Sequence, residues 1–327
     1  MCETPKNALQ QQQQHGSYNL TAVAMFALER KSLREYVHHY IGEGVDHFLL
    51  IDNNGNRSDE SCEIEPFIST GIVTLIKDHT RAAERKGVYV IWEHLKPFLA
   101  RTEWVLNADL DEFAYSRMAG AMPAETIWDF LMRLPSSVFA CYLPWKHFGS
   151  AGVVQPPAIA TQITRRWPNG LDCIDVKWIA RSSAVRASGN KHARIDRHVL
   201  GVTSSRAPNN CSSIFADLSC YEDARTIKAN CSDDNYSIHL NHYYLQSRES
   251  YYLSKMRRRR PDNPADSYGW GRYARYDTLA SVPDLELQRK RMLTISYVQM
   301  RMDTMFCEQR AGGTVPAWCR RVASLAW

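Results

Sequence analysis

The stretch Trp104-Val105-Leu106-Asn107-Ala108-Asp109-Leu110-Asp111-Glu112-Phe113 decides the fold. Trp104 to Leu106 begins an apolar strand, and the strand runs straight into two carboxylates one residue apart. In extended backbone residues i and i+2 share a side, so Asp109 and Asp111 are expected to face one crevice while Leu110 points back into the core. Two carboxylates held together repel each other and raise a pKa unless positive charge lies between them. A hard divalent cation, Mg²⁺ or Mn²⁺, answers that need with oxygen ligands, and a nucleotide diphosphate would supply the rest. An Asp-x-Asp triplet alone is common in turns; its place at the end of an apolar strand gives it meaning.

Working back toward the N-terminus, Thr21 to Ala27 is an apolar run of strand length. Leu33, Tyr36, Val37, Tyr40 and Ile41 then fall at helical spacing, with Ser32 and Glu35 placed as a capping box and Gly42 and Gly44 as the stop. His47 to Ile51 is a second strand that ends in the turn cluster Asp52-Asn53-Asn54-Gly55-Asn56, and Ile72 to Ile76 is a third. Val88, Ile91, Trp92 and Leu95 mark a second amphipathic helix ahead of Trp104. Strand, helix, strand, strand, helix, strand predicts a largely parallel sheet with helices on its faces. Ligands of such sheets bind beyond the carboxyl ends of the strands, so Asp52 to Asn56 and Asp109 to Glu112 belong to one crevice.

Composition sets the bounds. The chain has 327 residues, 44% hydrophobic and 23% charged, and can bury a sizeable core. Forty Lys and Arg against 35 Asp and Glu give a net charge of +5, too mild to argue for nucleic acid as a partner. No apolar stretch approaches the roughly 20 residues of a membrane helix. The start of the chain, with five Gln in a row, reads as a polar, disordered tail over residues 1–18 and as neither a signal peptide nor an anchor. Nine cysteines and five Asn-x-Ser/Thr patterns, at Asn19, Asn56, Asn210, Asn230 and Asn235, favour a secretory-lumen history; a cytoplasmic one follows if the chain is complete as given. Cys211, Cys220 and Cys231 mark residues 201–237 as a polar, Cys-rich insertion.

Several ordered motifs together resemble glycosyltransferase family 92 and related family-2-like enzymes. The order Glu29-Arg30-Lys31, then Tyr36 to Phe48, then Ile51-Asp52-Asn53, then Trp104 to Phe113 is similar to that family's "E…EW…H…GV.HF.iYDN.S.D" opening and "W…..DxDEF" centre. Trp145 to Ser150 and Lys177 to Arg181 resemble its middle segments, and Asn241-His242-Tyr243-Tyr244 with Ser247 to Lys255 resembles its closing "HY..rS.e.f..K" element. The chain departs from the pattern at Ala27-Leu28-Glu29-Arg30, where many relatives carry Lys-Asn-Glu, and at Gly55 to Arg57, which lengthen the turn.

The resemblance implies a GT-A-type, Rossmann-like α/β fold: a mixed, largely parallel sheet flanked by helices over residues 19–260, with a C-terminal helical extension over 261–327. It implies a metal-dependent glycosyltransferase that moves a sugar from a UDP- or GDP-sugar donor to a hydroxyl of a glycan or glycoconjugate, with inversion favoured. Asp109 and Asp111 become the Mn²⁺ or Mg²⁺ and diphosphate motif, with Asp111 favoured as the direct ligand. Glu29, Asp52 and Asn54 fall to the donor nucleotide, and His242 completes the metal shell. Residues 238 to 244 alternate like a strand, so His239 and His242 point to opposite faces and at most one reaches the metal.

An inverting transfer needs a group that deprotonates the acceptor. Asp172 and Asp175 are the leading candidates, with Glu112 and His147 beside them. Lys255 to Arg260 place five cations in six residues. As a solvated helix end they need no function; as a clamp, Lys255, Arg257 and Arg258 would neutralise the diphosphate or an acidic acceptor. Trp145, Trp167 and Trp178 offer faces for sugar stacking, although core packing explains such aromatics equally well. Leu285 to Phe306 reads as a long helix. Two other classes stay open: a sugar-binding protein of the same fold without turnover, and a nucleic-acid module leaning on the Arg run. Oligomeric state is not readable.

Overall fold

The computed structural model describes residues 17–54, 61–78, 87–117, 125–155, 162–168, 176–188, 193–195, 200–203, 237–256 and 268–292. Asp172, Asp175, Arg257 and Arg258 lie outside the described residues, as do residues 1–16 of the expected tail, the three clustered cysteines and the helix expected beyond residue 292; Tyr18, placed in the tail by the sequence reading, opens the first strand.

The first half runs β1 (Tyr18–Phe26), α1 (Arg30–Gly42), β2 (His47–Asp52), α2 (Glu65–Ser69), β3 (Val73–Lys77), α3 (Gly87–Leu95), β4 (Thr102–Asn107) and β5 (Glu112–Ser116). The second continues with α4 (Ile127–Met132), β6 (Val138–His147), β7 (Arg165–Arg166), β8 (Val176–Arg181), β9 (Val185–Ser188), β10 (Ala193–Ile195), β11 (Leu200–Thr203), β12 (Ile238–His242), α5 (Trp270–Leu279) and β13 (Val282–Pro283). Among the described residues, no helix is long and apolar enough to cross a membrane.

The main sheet has the order β3-β2-β1-β4-β8-β6-β12-β5. β3, β2, β1 and β4 are mutually parallel, as the spacing predicted. β8 enters antiparallel between β4 and β6, β12 runs parallel to β6, and β5 closes antiparallel on β12. This is the mixed, largely parallel α/β sheet flanked by helices that the spacing led us to expect. β6 serves three neighbours: residues 140–144 pair with β8, 145–147 with β12, and 138–142 with β11.

The parallel strands are apolar throughout because both sheet faces are covered. Leu20, Ala22, Ala24 and Phe26 of β1, Phe48 and Leu50 of β2, and Trp104 and Leu106 of β4 pack with Leu33, Tyr36, Val37 and Tyr40 of α1. The alternate residues Val23, Leu49, Ile51 and Val105 pack with Val90, Ile91 and Leu95 of α3 on the other face. Every one of these side chains is essentially fully buried.

The start of α1 differs from expectation. The helix begins at Arg30 with Glu29 in the cap position and no side-chain cap bond, so Ser32 lies within the first turn and forms no capping box. A tertiary contact sets this entry. Leu28 adopts φ 62, and its N–H donates to Asn54 Oδ1 at 2.7 Å, turning the chain two residues before the helix starts. The stop is as expected: Gly44 has φ +97, and a Cβ there would lie 2.4 Å from Trp128 Cβ.

Glu43, just past α1, is the clasp between the two ends of the chain. Its carboxylate accepts the N–H groups of Ser116 at 3.0 Å and Ile127 at 3.2 Å and pairs with the Lys290 ammonium, while Lys290 also donates to Ser116 O at 2.8 Å. Residues 286–292 are helical. They dock through Lys290, through Leu287 against Phe113, Tyr115 and Tyr243, and through Glu286 against Arg117 and His239. β13 pairs with β7, a strand the sequence reading did not include.

Two outcomes follow. Glu43→Ala strands a buried ammonium and two amides, and should lower the free energy of urea unfolding by about 3–5 kcal/mol. For Glu286, burial alone would raise the carboxyl pKa, but the hydrogen bond and charge of His239, aided by Arg117 and Lys146, draw it from 4.5 down to about 2. The stability this supplies is present above pH 4.5 and is lost as pH falls toward 2. Acid titration of unfolding should therefore show Glu286→Gln losing less stability than the wild type across that window.

Candidate active site

The Asp109-Leu110-Asp111 triplet is not extended. β4 ends at Asn107, and residues 110 and 111 form a turn closed by the Glu112 N–H donating to Asp109 O at 3.0 Å. Leu110 does enter the core, but the two carboxylates part company. The reason is the abrupt passage from β4 into β5, which belongs to the far edge of the sheet.

Helix α1 fixes that turn from below. Tyr36 Oη donates to Ala108 O at 2.9 Å, and Tyr40 Oη donates to Glu112 O at 2.9 Å while accepting the Ala114 N–H at 2.9 Å. His39 Nε2 reaches Ala114 O at 2.6 Å. The helical spacing marked Tyr36 and Tyr40 as apolar packing; two tyrosines one turn apart on a buried face were the signal that hydroxyls were needed there.

Asp109 points to Lys177 on β8, with Nζ 2.8 Å from its Oδ2. The same ammonium lies 3.4 Å from Glu112 Oε2, which also accepts the Asp109 N–H at 2.7 Å. Burial works against the charge of Lys177, but Asp109 and Glu112 outweigh it and hold the lysine protonated. Asp111 turns the other way, to Lys255 Nζ at 2.7 Å from Oδ2 and to His242 Nε2 at 3.7 Å from Oδ1. Burial would raise its pKa, yet the charges of Lys255 and His242 win and hold the carboxyl well below the ordinary carboxylate range. Glu112 goes the opposite way: burial, with Asp109 and Asp111 close by, overrides Lys177 and lifts its pKa well above the ordinary value.

Strand register completes the cluster. On β12, His242 stands opposite Glu112 of β5 on one side and opposite His147 of β6 on the other. Asp111, Glu112 and His242 thereby offer ligand atoms all within 4.8 Å of one another, and all three side chains are buried. Glu112 Oε1 and His242 Nδ1 are buried without a hydrogen-bond partner. A buried carboxylate oxygen left without a donor is what a hard cation would satisfy, so this set fits Mn²⁺ or Mg²⁺. Asp109 is not part of it. The sequence reading set Glu112 aside as a base candidate and read Lys177 only as part of a family segment; both depend on contacts between distant strands.

The other expected residues fall nearby. Asp52 ends β2, buried, its Oδ1 accepting the N–H of Asn54 at 2.9 Å and the Asn54 amide at 2.7 Å. Asn54 in turn holds Leu28, so the ends of β1 and β2 are tied together beside Glu29. Glu29 acts electrostatically on Lys255. His239 faces away from the cluster, toward Lys146, Tyr115 and Glu286, as the odd offset required. Trp178 is fully buried in the core and cannot stack a sugar. Trp145 lies 4.3 Å from the His242 ring and Trp167 4.7 Å from that of His147. Burial and the charge of His242 keep the His147 pKa well below 6.5.

No protein-family model matches the chain, and no curated protein does. Among solved structures, it is similar to a mycobacterial protein at 12% identity and TM-score 0.28, over 56% of this chain and 60% of that one. It is similar to glucosyl-3-phosphoglycerate synthase from Mycobacterium tuberculosis in complex with Mn²⁺, uridine diphosphate and glucosyl-3-phosphoglycerate, at 11% identity and TM-score 0.27, over 57% and 64%. HddC from Yersinia pseudotuberculosis follows at 10% identity and TM-score 0.26, over 54% and 82%. The chain thus spans less than two thirds of the first two.

The tyrosine support is directly testable. Tyr40→Phe removes a donor and an acceptor from two buried backbone groups, and should cost about 2–4 kcal/mol in urea unfolding. Tyr36→Phe, which frees one carbonyl, should cost about half of that.

Proposed function

We propose that this chain transfers a sugar from a nucleotide-sugar donor to an acceptor hydroxyl, with a divalent cation held by Asp111, Glu112 and His242. The observation that carries the reading is the in-register meeting of Glu112 and His242 beside Asp111 at the carboxyl edge of a mixed, largely parallel α/β sheet, with Glu112 Oε1 buried and unpartnered. The family resemblance of the motifs points the same way.

In the transfer, the bond from the anomeric carbon to the diphosphate breaks as the acceptor oxygen bonds to that carbon, and negative charge gathers on the departing diphosphate. The cation, when bound, supplies Lewis-acid neutralisation of that charge. The chain's own residues do the rest. Asp52 and Glu29 receive the nucleoside at the ends of β1 and β2, with Asn54 keeping Asp52 in place. Lys177 balances the charge of Asp109 and Glu112, leaving the turn rigid while the charge at the site changes. For the acceptor proton, the sequence offers Asp172 and Asp175, with His147 beside them, a neutral imidazole whose protonation burial and the charge of His242 oppose. The family-92 assignment, inversion and a glycan or glycoconjugate acceptor are parts of this proposal.

Thermal unfolding with UDP, GDP and their sugars, each with and without Mn²⁺, tests it. A nucleotide at about 100 times its Kd adds about 2.7 kcal/mol and should raise the midpoint by roughly 5 °C. The shift should need Mn²⁺ and should vanish in Asp111→Asn. No shift with any nucleotide, in folded protein, would move the reading to a sugar-binding protein without turnover.

A further inference from the structure

Two lysines serve the acidic turn, and they are not alike. Lys177 is completely enclosed and is shared between Asp109 and Glu112. Lys255 keeps 19% of its side chain exposed, and its ammonium contacts Asp111 Oδ2 at 2.7 Å while lying 5.0 Å from the centre of the Tyr244 ring. It also rides on a wide π-helical turn, Tyr251–Met256, a conformation frequent at functional sites. Lys177 is locked in place, whereas Lys255 stands at the solvent edge on a long, flexible stem.

The place Lys255 holds is contested. Asp111 is the candidate cation ligand, and its second oxygen already faces His242 at 3.7 Å. A divalent ion binding this carboxylate would claim the oxygens that Lys255 and His242 now face. An ammonium on the same carboxylate would then be held within a few ångströms of a double positive charge. One of the two cations has to leave, and the movable one is Lys255. The donor would bring a diphosphate to the same place, the natural new partner for an ammonium pushed off Asp111.

We propose that Lys255 is the resident counter-ion of the cation site: it holds Asp111 until a divalent metal arrives, and then passes to the diphosphate of the donor. Metal and donor are thereby coupled. Metal entry frees the lysine for the diphosphate, and the diphosphate draws the lysine off the metal's ligand. Linkage requires each ligand to raise the affinity of the other by the same factor. The proposal rests on the metal-dependent reading above.

Mn²⁺ binding without nucleotide, followed by loss of the free-ion electron paramagnetic resonance signal, tests this apart from turnover. Lys255→Met should bind Mn²⁺ about tenfold more tightly than the wild type, because its competitor is gone. With Mn²⁺ saturating, the same variant should bind UDP more weakly, so the factor by which UDP tightens Mn²⁺ shrinks. Lys255→Gln, which keeps a polar side chain, should behave alike and serves if the methionine variant misfolds; circular dichroism checks both. A lysine with a merely structural role would tighten nothing. Unchanged or weaker Mn²⁺ binding in both folded variants overturns the proposal, and Asp111→Asn separates the causes. If the wild type binds Mn²⁺ and Asp111→Asn does not, the cation site stands and only the lysine's role falls. If no form binds Mn²⁺, the metal reading falls as well.

Discussion

Three carboxylates within four residues, two of them buried, are the constraint that shapes this end of the molecule. Asp109, Asp111 and Glu112 cannot all be charged and close without positive partners. The chain resolves the conflict by turning instead of extending, so that Asp109 looks toward β8 and Asp111 toward β12. Two lysines from distant parts of the sequence then meet the two directions. Glu112, left between them, keeps a raised pKa. A strained electrostatic arrangement of this kind persists only because the surrounding fold over-determines it. Here the over-determination comes from the tyrosines of α1 below and the β12 pairing beside.

The parallel half of the sheet and the acidic turn are bound together by hydrogen bonds across the strand ends. Asn54 links β2 to Leu28, Asp52 is held by Asn54, and Tyr36 reaches Ala108. None of these bonds belongs to the ladder of the sheet. They fix loops, which is where α/β sheets of this kind keep their chemistry.

Much of the first half was legible in the sequence, because its signals are local. Apolar runs, helical spacing and turn residues placed β1 to β4, α1 and α3 within about three residues, while the short helix α2 went unread. Where tertiary contacts decided, local reading failed. The box at Ser32 and Glu35 lost to the Leu28 turn, which needs Asn54. The triplet read as extended lost to the β4–β5 crossing. The juxtaposition of Asp111 with His242 was expected from the motifs, yet Glu112 and Lys177 entered only with the register of β12 on β5 and of β8 on β4. No periodicity within one segment reports a register between strands 120 residues apart.

The position of β12 between β6 and β5 also bears on how the protein is made. The parallel strands β1 to β4 and their covering helices are complete once the chain has reached residue 107. His242, which must slot between strands synthesised long before it, comes more than a hundred residues later, Lys255 after that, and Lys290, the clasp on Glu43, later still. A growing chain therefore carries the parallel half of the sheet with its acidic turn unbalanced and an open strand edge on β5. Long-range pairings of this kind fold slowly and leave such edges exposed meanwhile. The cell must keep the half-made protein from pairing with its neighbours until the last fifth of the sequence has emerged.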